Sequence, residues 1–126
     1  MDQAEIMQIA LVERQAQELE GHLQIVDSQI IELDSFMKTL EELISTKEKE
    51  MLSSLGKRVY IKTKIEDAEK LFVEVGAGIV VKKTPHETLD VVKAQIKRLK
   101  EVRMEISGQL QFYHKELEDF LKKVRN

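Results

Sequence analysis

The chain has 126 residues, of which 34% are charged and 42% hydrophobic, with one Pro, no Trp and a formal net charge of -3 at pH 7. This length fits one domain, and the composition is typical of long charged helices rather than of a packed α/β enzyme. A net charge this small gives no overall basic field to attract phosphates, and the lack of cysteine excludes disulfides and thiolate chemistry.

The N-terminal stretch MDQAEIMQIALVERQ has neither a basic start nor an apolar core of the kind found in signal peptides. No run of apolar residues approaches the roughly 18 that a membrane span needs. We therefore expect a soluble, cytoplasmic protein with no membrane partner.

Residues 1–50 predict an N-terminal coiled-coil helix, running from about Gln3 to Lys49. Apolar residues recur there in alternating steps of three and four, the heptad seam of a coiled coil. The seam residues are Ile9, Val12, Ala16, Leu19, Leu23, Val26, Ile30, Leu33, Met37, Leu40 and Ile44. A helix this long needs a partner along its length.

Residues 51–83 predict a small β body of two hairpins. Apolar and polar residues alternate from Arg58 to Ile65, which is the period of a strand. Further strands are predicted at Leu71–Val75 and Ile79–Lys82, and a shorter one at Met51–Leu55 that turns at Gly56.

Gly76 and Gly78 could in principle begin a phosphate-binding loop. However, no third glycine follows, and Ile79 continues as strand rather than opening a helix. A hairpin turn is the better interpretation.

Three or four short strands with open edges are only marginally stable alone in water, and the unpaired N–H and C=O groups of their edges can hydrogen-bond to strands of another chain. The β body therefore predicts an oligomer.

Residues 84–126 predict a second coiled-coil helix. Thr84 can cap it, Pro85 suits its first position and Glu87 completes a capping box. The seam then resumes at Leu89, Val92, Ile96, Leu99, Arg103, Ile106, Leu110, Tyr113, Leu117, Phe120 and Val124.

The two seams fit an antiparallel hairpin in which positions e face each other. Arg103, the one charged seam residue, would lie close to Leu33 and Asp34 and help to fix the register. The register places four pairs of residues opposite each other: Glu41 with Lys93, Asp34 with Lys100, Asp27 with Ser107, and Glu20 with His114.

Several apolar residues lie outside the seams, and those near the two chain ends form a cluster. Exposed apolar patches often mark interaction sites, although frayed ends commonly carry apolar residues without any role. No catalytic constellation and no metal-ligand set appears: His22, His86 and His114 have no partner histidine at helical spacing. We therefore expect a protein that is not an enzyme and carries no cofactor.

The central stretch from Leu55-Gly56 through Val59–Ile65 to Leu71–Thr84, with its V-G-x-G turn between valine-rich strands, resembles the α-class subunit of prefoldin. The order of elements agrees over essentially the whole chain. The absence of long tails favours the archaeal type.

This resemblance implies an ATP-independent co-chaperone that binds unfolded polypeptides and passes them to a group II chaperonin. It implies a hexamer of two α-class and four β-class subunits, whose β-hairpins form a barrel from which the coiled coils project. The implied assembly surface comprises Val59, Ile61, Ile65, Leu71, Val73, Val75, Ile79 and Val81. By location, the client-binding tip would comprise Ile6, Met7, Ile9, Leu11, Phe120, Leu121 and Val124.

Two other interpretations differ in class. A self-assembling scaffold or filament could use the same open strand edges without any client. A nucleic-acid-binding arm is disfavoured by the acidic balance and by the lack of a continuous basic stripe with aromatic residues.

Overall fold

The computed structural model describes residues 2–125. In chain order the elements are α1 (Gln3–Ser45), β1 (Glu50–Gly56), β2 (Val59–Lys64), β3 (Leu71–Gly76), β4 (Ile79–Lys83) and α2 (Pro85–Arg125). The predicted fold of two long helices joined by two β-hairpins is confirmed. Within the described residues, neither helix is long and apolar enough to cross a membrane.

Two compact units can be distinguished. The helical unit consists of the residues up to Leu33 together with those from Gln95 onward. The hairpin unit is Asp34–Ala94, and holds all four strands.

The first helix is capped by a side chain at its start and ends earlier than predicted. Oδ1 of Asp2 accepts a hydrogen bond from the amide of Glu5 at 2.8 Å, as an N-cap aspartate does. The helix ends at Ser45 and does not continue to Lys49. Oγ1 of Thr46 accepts a hydrogen bond from the amide of Glu48 at 3.2 Å, and this local turn competes with the helix. The carbonyl of Lys49 accepts a hydrogen bond from the amide of Ile65, which extends the pairing of the first hairpin by one hydrogen bond.

The predicted start of the second helix is confirmed. Pro85 is its first residue and is fully buried, and Oγ1 of Thr84 accepts a hydrogen bond from the amide of Glu87 at 3.1 Å. Thr88 is buried, and its hydroxyl donates a hydrogen bond to the carbonyl of Thr84 at 2.9 Å, so this buried polar group has a hydrogen-bond partner.

The core of the helical unit is the predicted seam. Five of its residues form a buried cluster: Ala16, Val26, Ile30, Ile106 and Leu110. Leu19, Leu23, Leu99, Val102 and Tyr113 pack against this cluster and are partly buried. Of these, Val102 lies outside the predicted seam. Each fully buried aliphatic side chain contributes about 1.5–3 kcal/mol. The helices of this unit are therefore stabilised mainly by one another.

The first hairpin pairs β1 with β2 antiparallel, with Met51 opposite Thr63 and Ser53 opposite Ile61. The hydroxyls of Ser53 and Thr63 lie 2.8 Å apart and hydrogen-bond across the strands. On the other face, Nζ of Lys62 lies 2.9 Å from Oε2 of Glu50. These contacts explain how so polar a stretch as β1 is held in a hairpin.

The second hairpin pairs β3 with β4 antiparallel, with Val73 opposite Val81. The two hairpins share one design: each has a register irregularity just before a glycine of positive φ, Gly56 (112°) or Gly76 (129°). Two residues of positive φ follow in each case, which is the backbone of the tight turn favoured between twisted strands. The predicted turn at Gly76 and Gly78 is therefore confirmed.

The four strands form two separate two-stranded sheets rather than one. Each sheet therefore has two open edges, and an isolated two-stranded hairpin is only marginally stable in water.

Candidate interaction surfaces

The first candidate surface lies where the two helix ends of the helical unit meet. Seam residues are buried at Ala16 and Leu110 but only half-buried at Ile9 and Phe120, and Val124 is 49% exposed. The seam therefore opens toward the chain ends.

A cleft lies between the helix ends at this place; we call it the terminal cleft. It has a volume of about 420 Å³, and its apolar lining comes from Ile9, Val12, Leu117 and Phe120. Its polar lining residues are Glu5, Gln8, Glu116, Asp119 and Lys123.

Apolar residues outside the seam surround this end. Ile6, Met7 and Leu11 of α1 and Leu121 of α2 are exposed, and Met7 is 72% exposed. Of the seven residues expected at a client-binding tip, five are therefore exposed, whereas Ile9 and Phe120 line the terminal cleft. Such a surface can offer apolar contact to a partner. Among residues 2–125, no group of three or more His, Cys, Asp or Glu side chains could hold a metal ion.

The second candidate surface is formed by the hairpins. Among the predicted assembly residues, Val59, Ile61, Val75 and Ile79 are exposed. The remaining four are half-buried: Ile65, Leu71, Val73 and Val81.

Further exposed apolar residues of the hairpins were not among the predicted assembly residues: Leu52, Leu55, Tyr60, Phe72 and Val80. Most belong to the opposite faces of the strands; for example, Phe72 lies opposite Lys82, whose Nζ is 6.0 Å from the ring centroid. Since both faces of these hairpins carry apolar residues, alternation alone could not identify one face as the interface. The sequence already indicates two apolar faces, because apolar residues stand at both odd-numbered and even-numbered positions of the strands.

The third candidate surface is a groove within the hairpin unit, which sequence reasoning also missed. It has a volume of about 420 Å³. Its apolar residues are Leu43, Met51, Ile65, Ala68 and Leu71, and its carboxylates are Glu42, Glu48, Glu50 and Asp67. Thr39, Thr46 and Lys70 complete the lining. We call it the acidic groove.

The family model for prefoldin subunits matches residues 12–126 of this chain. The chain belongs to the prefoldin family. Prefoldin subunits are co-chaperones and not enzymes, so the expected absence of catalysis follows from membership of the family rather than from a missing motif.

Relatives of this chain include archaeal prefoldin α subunits. The chain is 29% identical to prefoldin subunit alpha of Archaeoglobus fulgidus, over 86% of this chain and 80% of that protein. It is 31% identical to prefoldin subunit alpha of Thermofilum pendens, over 71% of this chain and 72% of that protein.

A solved structure has the same fold. The filamentous prefoldin of Methanocaldococcus jannaschii, determined by cryo-EM, superposes with a TM-score of 0.76 at 23% identity, covering 91% of this chain and 96% of that chain. The predicted resemblance to an archaeal prefoldin α subunit is thus confirmed.

Proposed function

We propose that this chain is an ATP-independent co-chaperone subunit that binds unfolded polypeptides and delivers them to a group II chaperonin. Binding takes place at the open end of its helical unit, by which we mean the end that holds the terminal cleft. The observation that carries the proposal is the cluster of exposed apolar residues Ile6, Met7, Leu11, Leu121 and Val124 around the terminal cleft, in a chain of the prefoldin family.

The binding is hydrophobic and weak at each subunit. An unfolded client exposes apolar side chains, and burying them against this end removes apolar area from water at roughly 25 cal/mol per Å². Methionine suits such contacts because its unbranched, polarizable side chain adapts to different partners. The half-buried residues Ile9 and Phe120 provide a deeper contact where the seam opens.

Several subunits acting together would hold the client firmly. When several weak sites surround one polypeptide, the second contact becomes intramolecular and the total affinity rises by effective concentration. Each single contact still dissociates quickly, so the client can leave without ATP hydrolysis.

Assembly would use the hairpins. The open edges of two separate sheets and the exposed residues Val59, Ile61, Val75 and Ile79 favour pairing with other subunits into a β-barrel. The half-buried residues would contribute further apolar contacts to that barrel; they are Ile65, Leu71, Val73 and Val81. The proposed partners are β-class prefoldin subunits in a hexamer of two α and four β chains, located in the cytoplasm.

The test is suppression of aggregation by the assembled complex. The chain, mixed with a β-class partner, should keep a chemically denatured protein from aggregating without ATP. Removing residues 1–11 should weaken this effect while leaving the mass of the complex otherwise unchanged. If the truncated complex protects the client fully, the binding site has been misplaced.

A second candidate function is that of a self-assembling scaffold. It is favoured by the likeness in fold to the Methanocaldococcus jannaschii prefoldin, which is described as filamentous. Native mass of the chain alone discriminates: a long homopolymer that gives no protection against aggregation supports the scaffold.

A further inference from the structure

Four carboxylates line the acidic groove of the hairpin unit, and two of them take part in no ion pair among residues 2–125. Glu50 pairs with Lys62 at 2.9 Å, and Asp67 pairs with Lys70 at 3.5 Å. No ion pair within residues 2–125 involves Glu42 or Glu48. An apolar floor with two unpaired anions beside it matches a partner that presents an apolar residue next to two cations.

The chain itself carries such a segment in the turn of the first hairpin. Lys57 and Arg58 form this turn, and neither takes part in an ion pair in the described part of the chain. They are flanked by Leu55, which is 67% exposed, and Val59, which is 54% exposed.

The backbone of this turn adds a second observation. Lys57 and Arg58 have φ values of 48° and 65°, a region that favours glycine or asparagine. The equivalent turn of the second hairpin uses Ala77 and Gly78. Two bulky cations thus occupy strained positions that smaller residues would fill at lower cost, and such strain is concentrated at functional sites.

The turn cannot reach the groove of its own chain. The groove touches the base of the first hairpin at Glu50 and Ile65, whereas the turn lies at the opposite end of β1. Seven strand residues separate the two by roughly 20 Å at about 3.3 Å per residue. A contact between them therefore requires two chains.

We propose that the Lys57–Arg58 turn of one copy of this chain docks into the acidic groove of a second copy, with Leu55 or Val59 on the apolar floor and the two cations beside Glu42 and Glu48. The contact joins two different surfaces, so it is made twice in a reciprocal dimer or repeats from chain to chain. It does not depend on client binding. Because Val59, Ile65 and Leu71 also belong to the proposed barrel, the contact is one that the chain makes in the absence of β-class subunits.

The test is the self-association of the full chain without any other subunit. Sedimentation velocity should show a species larger than the monomer that dissociates as salt rises from about 0.05 M to about 0.5 M, because exposed charges are screened. The double variant Lys57→Glu/Arg58→Glu should weaken association at least roughly tenfold, since like charges would then face each other. Glu42→Lys/Glu48→Lys should do the same.

Reciprocal rescue separates this contact from a general effect of charge or folding. Mixing the two double variants, each monomeric alone, should restore association, because reversed cations and reversed anions attract again. Circular dichroism of each variant checks that the helices are intact. If the mixture stays monomeric while both variants are folded, the proposal is wrong.

Matched controls keep the charge change and move its position. Lys122→Glu/Lys123→Glu alters two exposed lysines flanked by Leu121 and Val124, and Glu32→Lys/Glu41→Lys alters two exposed glutamates of α1 outside the groove. Both controls should associate as the unmodified chain does. Loss of association in the Lys122/Lys123 variant alone would assign the groove to the C-terminal segment and overturn the proposal, as would a chain that is monomeric at low salt.

Discussion

Glu20 and His114 face each other across the two helices of the helical unit, with 3.4 Å between Oε1 and Nε2. This pair is one of the four that the heptad register predicts, so the register is confirmed at this level. The next predicted pair is different: the carboxylate of Asp27 contacts Nη1 of Arg103 at 3.5 Å. Arg103 was expected near Leu33 and Asp34, and that expectation is wrong: its guanidinium pairs with Asp27, which precedes Leu33 and Asp34 on α1 by nearly two helical turns, or roughly 10 Å.

Arg103 has a role in stability that this contact explains. Oδ1 of Asp27 is buried and accepts no hydrogen bond among the described residues, so the nearby guanidinium provides its main compensation. Arg103→Met should therefore lower the free energy of unfolding by about 1 kcal/mol, although it completes an apolar seam. Urea denaturation followed by circular dichroism measures the change.

The matched double variant tests the reason. Asp27→Asn/Arg103→Met removes the unpaired charge and should recover most of the lost stability. Equal losses in the single and double variants would show that Arg103 stabilises the helices by packing rather than by charge.

The second hairpin has a turn whose backbone favours a different residue. Ala77 has a φ of 50°, and Gly78 follows with a φ of 76°. Ala77→Asn supplies the Asn-Gly pair that this turn geometry prefers and should stabilise the hairpin by about 0.5–1 kcal/mol. Hydrogen exchange of the β3 and β4 amides should become slower.

Gly78→Ala is the opposite control. It places a Cβ at a φ where side chains are disfavoured, although no atom lies within 4 Å of that Cβ. Exchange should become faster from backbone strain alone. Faster exchange in both variants would contradict the assigned turn.

The cap of the second helix can be tested at one hydroxyl. Thr84→Ala removes the acceptor for the Glu87 amide at 3.1 Å and should cost about 1 kcal/mol of stability. Thr39→Ala, in the interior of α1, removes a hydroxyl that donates to the carbonyl of Ser35 at 3.2 Å and should change stability by less than about 0.5 kcal/mol. Thermal unfolding compares the two, and equal shifts would contradict the capping role.

Much of the fold follows from sequence because its signals are local or strictly periodic. The heptad spacing from Ile9 to Ile44 predicts the helix, and Thr84 with Pro85 predicts where the second helix starts. Gly56 and Gly76 mark the two turns, because only glycine adopts φ values of 112° and 129° without strain.

Other features depend on contacts that periodicity does not encode. The end of α1 at Ser45 depends on competition between the helix and a Thr46 turn. The acidic groove joins Leu43 of the helix with Ile65 and Leu71 of the strands, which are distant in sequence. The ion pair between Glu41 and Lys93 is absent from residues 2–125, whereas Asp34 with Lys100 stays a prediction.

The most direct test of client binding at the open end compares two sites on the same helix. Met7 is 72% exposed near the end of α1, and Ile31 is 69% exposed far from it. A photo-crosslinking residue placed at either position has nearly equal access to solvent. In the complex with β-class subunits, and with an unfolded client present, we predict strong crosslinking from position 7 and little from position 31. Equal crosslinking from both positions, or crosslinking from position 31 alone, would contradict it.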